Sequence, residues 1–205
     1  MKLNKPSVYS LANEVYNLSQ ANSLDKTLFQ AKLDKLATVP GNNDEQRRMA
    51  VDMLCEFRAY KTLYDDNVSP HWVVETNNAS PDLEYDKNGS PYPVEVKHVN
   101  PPRTEDIALS QGISVSGFVN PNYHCGVIQK VRDDITSAKN KFNTFNSNNS
   151  NKGNLYLYFS ESIEAQVASY LPGSPTMQQK VETIVNNLIP SGMDVVVQDI
   201  NSLFH

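Results

Sequence analysis

This 205-residue chain has few of the residues that mark several common protein classes. Its two cysteines, Cys55 and Cys125, do not have the spacing of metal ligands, so we expect free thiols and neither a zinc site nor a disulfide. The chain has no Gly-x-Ser-x-Gly sequence and no Gly-rich loop that ends in Gly-Lys-Ser or Gly-Lys-Thr. Serine hydrolases of that type and phosphate-loop NTPases are therefore excluded.

Long apolar runs are also missing from the sequence. No run approaches the ~20 residues that a membrane-spanning helix needs. The first residues lack the apolar segment of a signal peptide, so we expect a cytoplasmic protein without a membrane span. With 39% hydrophobic residues the chain can still form a packed core, and its length is typical of a single domain.

A hairpin is the clearest structural signal in the chain. Asn88-Gly89 lies between two runs of strand-forming residues, and Asn-Gly in that position is the strongest short hairpin signal. A tight turn centred there places Asp82 directly opposite Glu95 on the paired strand. Pro91 and Pro93 cannot donate ladder hydrogen bonds, so a wider turn remains an alternative.

The hairpin brings acidic and basic side chains to one face of a sheet. Because side chains alternate along a strand, Glu95 and Lys97 point to one face and Val94 and Val96 to the other. Asp82 joins the polar face, where two like charges are destabilising unless a cation lies between them. Two carboxylates suit Mg²⁺, with Mn²⁺ as a substitute, because hard cations prefer oxygen ligands. The pattern predicts a divalent-metal site.

Two short segments, Pro81-Asp82 and Glu95-Val96-Lys97, resemble the motif of the PD-(D/E)XK nuclease superfamily, which includes many restriction enzymes and DNA-repair nucleases. The resemblance implies that Asp82 and Glu95 bind a catalytic metal and that the Val96 backbone carbonyl adds a ligand. It also implies that Lys97 orients or deprotonates the attacking water. A divalent-metal-dependent endonuclease that hydrolyses DNA is the function expected from it.

The superfamily commonly adds an acidic residue from the helix before the first strand, and Glu56 is well placed for this catalytic and metal-binding role. The helix predicted from Asp44 to Asp66 carries Glu56 within an apolar stripe formed by Met49, Met53, Tyr60 and Leu63. A carboxylate there costs free energy unless it is paired or binds a cation. Glu56 therefore either faces the metal or pairs with a buried arginine. Asp52 is the next candidate, unless it lies on a solvated face near Arg48.

The rest of the sequence predicts an α/β fold with a central mixed β-sheet flanked by helices. Residues 43–205 form the nuclease-like domain, and the resemblance implies a restriction-endonuclease-like αβββαβ order within it. Residues 1–42 form an N-terminal helical extension that could dimerise, cover the sheet or contact substrate. The remaining predicted elements are strands at 71–76, 154–159 and 194–200, helices at 127–142 and 176–188, and a solvated Asn-rich loop at 143–154.

The net charge of −5 argues against a general nucleic-acid coat, since Lys and Arg supply most sequence-independent affinity for phosphates. A local basic patch matters more than the sum. We expect DNA contacts at Arg103 and Lys130, while the resemblance adds Gln129 near the site. Other candidates along the same predicted helix are Arg132, Lys139 and Lys141, although such a charge is more often simply solvated.

Two rival functions remain open at the level of sequence. One is a catalytically inactive protein with a nuclease fold that binds DNA or a protein partner, which the acidic balance favours slightly. The other is an ordinary α/β interaction domain in which the motif is accidental, and this requires Asp82 and Glu95 to lie far apart. If the chain does cut both strands of a duplex, a homodimer is favoured.

Overall fold

The structure is a computed structural model that describes residues 5–38, 44–76, 79–99, 121–146, 150–159 and 177–199. Within these ranges the chain forms five helices and five strands. The helices are α1 (Lys5–Ser19), α2 (Ser23–Thr38), α3 (Asp44–Asp65), α4 (Pro121–Phe145) and α5 (Met177–Leu188). The strands are β1 (Pro70–Trp72), β2 (Leu83–Asp86), β3 (Pro91–Val99), β4 (Gly153–Phe159) and β5 (Met193–Asp199).

The five strands form one open mixed sheet in the order β1-β2-β3-β4-β5. The pairs β1–β2 and β2–β3 are antiparallel, whereas β3–β4 and β4–β5 are parallel. Parallel neighbours require a crossover connection, and along the chain α4 lies between β3 and β4 while α5 lies between β4 and β5. The predicted α/β class, with a central mixed sheet flanked by helices, is confirmed.

Helices cover both faces of the sheet, and each face has its own apolar core. Val94 and Val96 of β3 lie in the core that packs against α1, α2 and α3. Leu155 and Leu157 of β4 lie in the opposite core, under α4 and α5. The apolar stripe predicted for α4 is buried there at Val131, Ile135, Ala138 and Phe142. Val127, the fifth predicted member of that stripe, lies outside the described side chains.

The first two helices share a core with α3. Val15 of α1 and Phe29 of α2 are fully buried. The Phe29 ring lies 4.8 Å from the Phe57 ring of α3 and 6.0 Å from the Trp72 ring of β1, measured between centroids. Of the three roles left open for the N-terminal helices, the structure shows that they cover the sheet and α3.

The hairpin between β2 and β3 has the predicted two-residue turn. Asn88 and Gly89 have φ angles of 60° and 79°, both in the left-handed region that a type I′ turn requires. The Lys87 N–H donates to the Ser90 carbonyl at 2.9 Å. The predicted register is also confirmed as far as it reaches, with Leu83 opposite Val94.

The two prolines of β3 do not widen the turn. Pro91 and Pro93 pair with β2, and both precede the first pair between β3 and β4, which joins Val94 to Asn154. Their missing N–H groups therefore lie on a part of β3 that does not pair with β4, so no hydrogen bond of that ladder is lost.

Several element boundaries differ from the sequence-based prediction. β1 ends at Trp72 rather than at residue 76, because its ladder with β2 ends where Trp72 pairs with Leu83. α4 begins at Pro121 rather than at residue 127, and it continues to Phe145, so it includes the first residues of the Asn-rich segment predicted to be a loop. Residues 147–149 of that segment lie outside the described residues.

Two expectations from composition can be checked on the described residues. Cys55 is a buried free thiol, and burial raises its pKa well above the usual range, so it is not a reactive nucleophile. The side chain of Cys125 lies outside the described residues. Among the helices that are described, none is both long enough and apolar enough to cross a membrane.

Candidate metal and phosphate site

A bulge places Asp82 at the end of β2. The Asp82 N–H donates to the Val94 carbonyl at 3.1 Å, although Val94 is already the ladder partner of Leu83. Two residues therefore oppose one, which is the arrangement of a β-bulge. The sequence had predicted that Asp82 pairs with Glu95, and this is wrong, because the ladder between β2 and β3 ends at Leu83. Instead, the Asp82 carboxylate Oδ2 accepts the Val96 N–H at 2.7 Å, which still holds it beside Glu95.

Glu95 of β3 is the buried carboxylate beside this bulge. Its side chain is 0% exposed. Its Oε1 forms ion pairs with Lys97 on the same strand and with Lys141 of α4, the latter at 2.7 Å. Its Oε2 is buried and has no hydrogen-bond partner among the described residues. A buried polar atom without a partner is costly in free energy and calls for an explanation.

Lys97 is a cation in this environment. Burial alone would lower its pKa, but the charges of Glu95 and then Asp82 outweigh burial and raise the pKa. The side chain is 23% exposed. A protonated ammonium can donate hydrogen bonds to a phosphate or to water, but it cannot accept a proton. Of the two roles predicted for Lys97, orienting the water therefore fits the structure better than deprotonating it.

Glu56 lies on the α3 side of the sheet and has a lysine partner. Its Oε2 accepts Lys32 Nζ of α2 at 2.7 Å, and Lys32 also reaches Glu75 at 3.4 Å. The Glu56 side chain is 16% exposed. The sequence left open a metal contact or a buried arginine, and the observed partner is instead a lysine from the N-terminal helices.

Asp82 is the shared neighbour of these two buried carboxyl groups. Burial raises the pKa of Glu56 to about 7, and the charge of Asp82 adds to the shift while Lys32 opposes it. Burial also raises the pKa of Glu95 to about 7, again with a contribution from Asp82 and partial relief from the nearby lysines. A carboxylate that disfavours ionisation in two others marks a region of excess negative charge, which is where a cation is stabilised.

The oxygen atoms at the bulge suit a hard divalent cation with few protein ligands. Among the described residues, no three His, Cys, Asp or Glu side chains are grouped to hold a metal ion. Two carboxylates remain, Asp82 and Glu95. The carbonyl of a strand residue points to the same edge as its N–H, so the Val96 carbonyl faces the Asp82 side. Such a set fits Mg²⁺ or Mn²⁺, because Mg²⁺ usually keeps several waters and one or two carboxylates.

An open groove of about 500 Å³ runs along the exposed side of α4. Its lining includes Lys141, whose ammonium contacts Glu95. Ala79, which precedes the Pro81-Asp82 segment, lines the other side. The remaining lining residues are polar α4 side chains at helical spacing, namely Asp133, Thr136, Ser137, Asn140 and Thr144. The groove thus borders Lys141, the partner of Glu95, whereas Asp82 and Glu95 are not part of its lining.

The remaining predicted site residues lie elsewhere or outside the described residues. Arg103 is not among the described residues. The exposed Gln129 amide donates to Asp133 at 2.8 Å, and Lys130 forms an ion pair with the buried Asp134. Both therefore contact acidic neighbours on α4. Asp52, the second acidic candidate on α3, contacts His98 Nδ1 at 3.2 Å rather than Asp82 or Glu95.

The sequence did not identify Lys141 as a partner of Glu95. It gave Lys141 only as one of several candidate phosphate contacts along α4. A signal was present, because Lys141 lies three residues after Ala138 and next to Phe142, at the border of the buried stripe. A lysine at such a border can extend its apolar stem along the core and reach a buried carboxylate.

The fold and the site together define an α/β protein with a mixed five-stranded sheet and a buried cluster of carboxylates and lysines beside a bulge. A scan against protein-family models gave no match, and searches of curated proteins and of solved structures gave no significant match either. A function for this chain has to be inferred from its own residues.

Proposed function

We propose that this chain is a divalent-metal-dependent nuclease that hydrolyses DNA phosphodiester bonds, with the restriction-endonuclease-like arrangement of the PD-(D/E)XK superfamily. The observation that carries the proposal is Glu95, a fully buried carboxylate with one unpartnered oxygen beside Asp82 and Lys97. The order α3, β1, β2, β3, α4, β4 supports it, because that is the order the resemblance implies. Fold likeness alone does not assign chemistry, so the site has the greater weight.

Asp82, Glu95 and the Val96 carbonyl would hold the cation, Mg²⁺ or Mn²⁺. When bound, such an ion supplies Lewis acidity at the scissile phosphate and lowers the pKa of a water molecule. The Val96 N–H fixes the Asp82 carboxylate in place through a 2.7 Å hydrogen bond. Glu56 adds negative charge from the α3 side, tempered by Lys32.

Lys97 carries the remaining chemistry in this proposal. Its ammonium lies beside Glu95 and remains protonated, so it can donate to a phosphate oxygen and orient the attacking water. A positive charge placed where negative charge develops stabilises the transition state without reorganisation. Cutting both strands of a duplex would require two such sites, which a homodimer supplies.

The test is a plasmid-nicking assay with Mg²⁺, Mn²⁺ or a chelator, run on the wild type, Asp82→Asn and Asp65→Asn. Asp65 is an exposed carboxylate that pairs with Lys61, so its variant controls for the loss of one surface charge. We expect metal-dependent nicking by the wild type and the control. For Asp82→Asn we expect a loss of at least about a hundredfold, as when one electrostatic group is removed from an active site. Wild-type nicking by folded Asp82→Asn would contradict the proposal.

One observation favours a second candidate, a protein with a nuclease fold that binds DNA or a partner without cutting. Glu95 already has two lysine partners and Glu56 has one, so these carboxylates are partly neutralised without a cation. The two candidates differ in their response to Mg²⁺. A folded wild type that neither binds Mg²⁺ nor nicks DNA would favour the second candidate.

A further inference from the structure

Lys141 contacts a buried carboxylate and also lines an open groove. Its ammonium lies 2.7 Å from Oε1 of the buried Glu95, while its side chain also lines the groove along α4. The side chain is 15% exposed. A lysine carries a compact charge on a flexible four-carbon stem, so its ammonium can change partners without a change in the backbone.

Without a metal ion, the carboxylates around the bulge are partly neutralised by lysines. Asp82, Glu56 and Glu95 interact there with Lys32, Lys97 and Lys141, while Glu75 and Asp134 add further negative charge beside Lys32 and Lys97. A divalent cation bound by Asp82 and Glu95 would add two positive charges to this cluster. Backbone phosphates of a nucleic acid carry the charge that would offset this addition.

Of the three ammonium groups, Lys141 is the one placed to meet such a phosphate. Lys32 is held on the α3 side by Glu56 and lies 5.1 Å from the centre of the Trp72 ring. Lys97 is on the same strand as Glu95 and is not part of the groove lining. Lys141 alone among them lines the groove.

We propose that Lys141 is a phosphate-binding residue that exchanges partners. It neutralises Glu95 when no cation is bound, and it binds a backbone phosphate of one nucleic-acid strand in the groove along α4 once a divalent cation takes over Glu95. This inference rests on the proposed nuclease function. The hydroxyl and amide groups of Thr136, Ser137 and Asn140 line the same groove and suit phosphate and sugar contacts, which position a strand without reading its sequence.

The exchange has a thermodynamic consequence that can be measured without cleavage. If a cation releases Lys141 from Glu95, cation and phosphate must each increase the affinity of the other by the same factor. The experiment titrates Mg²⁺ alone, and then inorganic phosphate with and without Mg²⁺, into the wild type, Lys141→Gln and Lys139→Gln. Lys139, an earlier candidate for a DNA contact, is exposed on the same helix and is not part of the groove lining, so its variant removes one charge from α4 without touching the groove or Glu95.

Lys141→Gln should change the two affinities in opposite directions. Mg²⁺ should bind several-fold more tightly than to the wild type, because no ammonium competes for Glu95. Phosphate in the presence of Mg²⁺ should bind about 10- to 100-fold more weakly, the loss expected for one charge-assisted hydrogen bond. Lys139→Gln should match the wild type within about twofold in both titrations, because a solvated charge contributes little.

A second variant keeps the test decisive if Lys141→Gln does not fold. Lys141→Arg retains the charge and can pair with Glu95 through two parallel hydrogen bonds, so it should compete more strongly with the cation and weaken Mg²⁺ binding. Phosphate binding should persist in this variant. An arginine variant that binds Mg²⁺ as the wild type does would count against the exchange.

The outcomes separate this inference from the proposed function. If the wild type binds Mg²⁺ and nicks DNA while Lys141→Gln matches Lys139→Gln in both titrations, the exchange is wrong and the nuclease proposal stands. If Mg²⁺ does not change the affinity of the wild type for phosphate, the exchange is also wrong. If the folded wild type neither binds Mg²⁺ nor nicks DNA, both proposals fall together.

Discussion

Two buried carboxylates, Asp25 and Glu95, have opposite hydrogen-bonding states in the same small protein. Asp25 of α2 is 2% exposed and has a partner for each oxygen, with His71 Nδ1 at 2.7 Å from Oδ2 and the Trp72 N–H at 2.8 Å from Oδ1. Glu95 is 0% exposed, shares one oxygen between two lysines and leaves the other without a partner among the described residues.

The difference distinguishes a carboxylate with a structural role from one that we assign to a functional site. A fully hydrogen-bonded carboxylate such as Asp25 fastens one element to another, here α2 to the edge strand β1. A buried carboxylate oxygen that lacks a partner destabilises the fold unless a ligand completes it. Neither burial nor an unpartnered oxygen identifies a site alone, because Oδ2 of the buried Asp134 is also unpartnered. Glu95 differs from Asp134 because a second carboxylate, Asp82, lies beside it.

The largest contrast is expected when each carboxylate is removed in turn. Glu95→Gln should lower metal-dependent nicking by at least about a hundredfold, because it removes a charged oxygen from the proposed cation site. Asp25→Asn should nick DNA at the wild-type rate below its melting temperature, since Asp25 only joins α2 to β1. Nicking rates of both purified variants give the answer. Equal losses in the two variants would remove the distinction between them.

Stability should show the reverse contrast. Asp25→Ala leaves the buried Trp72 N–H without its acceptor and removes the His71 contact, so we expect a loss of about 2–4 kcal/mol in the free energy of unfolding. Urea denaturation of the wild type and the variant measures it. A loss below about 0.5 kcal/mol, the range of ordinary surface changes, would show that Asp25 is not a fastener.

The pH dependence of stability should reveal the carboxyl groups beside Asp82. Glu56 and Glu95 have pKa values of about 7 in the folded protein against 4.5 when unperturbed. Between these values the folded state binds more protons than the unfolded state, so stability should fall as pH rises from about 4.5 to 7 and level off above 7. Each group contributes at most about 1.4 kcal/mol per pH unit.

Melting temperatures measured from pH 4.5 to pH 8 in a chelator would check this trend. Mg²⁺ should restore stability more at pH 8 than at pH 5, because protons compete with the cation for the same carboxylates. Stability that rises steadily across this range in the chelator would contradict the pKa shifts of Glu56 and Glu95.

The smallest expected change in stability comes from substitution of Asp82. Asp82→Asn keeps an oxygen that can accept the Val96 N–H and removes the charge that disfavours ionisation of Glu56 and Glu95. We expect the variant to be about 1 kcal/mol more stable than the wild type at pH 8 without metal. Asp82→Ala is the matched comparison, because it removes the charge and the hydrogen bond together and should be less stable than Asp82→Asn. An Asp82→Asn variant less stable than the wild type would show that the carboxylate is structural.

Local signals in the sequence predicted much of the fold. Asn88-Gly89 determined the turn and the hairpin register, because two residues with positive φ angles allow few other conformations. Apolar periodicity located α3 and α4 and their buried faces, since a helix packs one side against the sheet. Glu95 and Lys97 were found together because strand residues two apart share a face.

The partners that complete the site could not be predicted in this way. The bulge at Asp82 depends on hydrogen bonds to Val94 and Val96 across the sheet, which no local pattern specifies. Lys32 and Lys141 belong to helices that are distant in sequence from β3, and their positions depend on how α2 and α4 pack. Tertiary packing therefore decides which carboxylates are neutralised and which atom is left unpartnered.

The most direct test is a calorimetric titration of Mg²⁺ at pH 8 into the wild type and Glu95→Gln, each first shown to be folded. If the unpartnered oxygen of Glu95 belongs to a cation site, the wild type should bind Mg²⁺ with a measurable heat and Glu95→Gln should lose that binding. Equal Mg²⁺ binding by both proteins, or none by the folded wild type, would contradict the assignment of a metal site to Asp82 and Glu95.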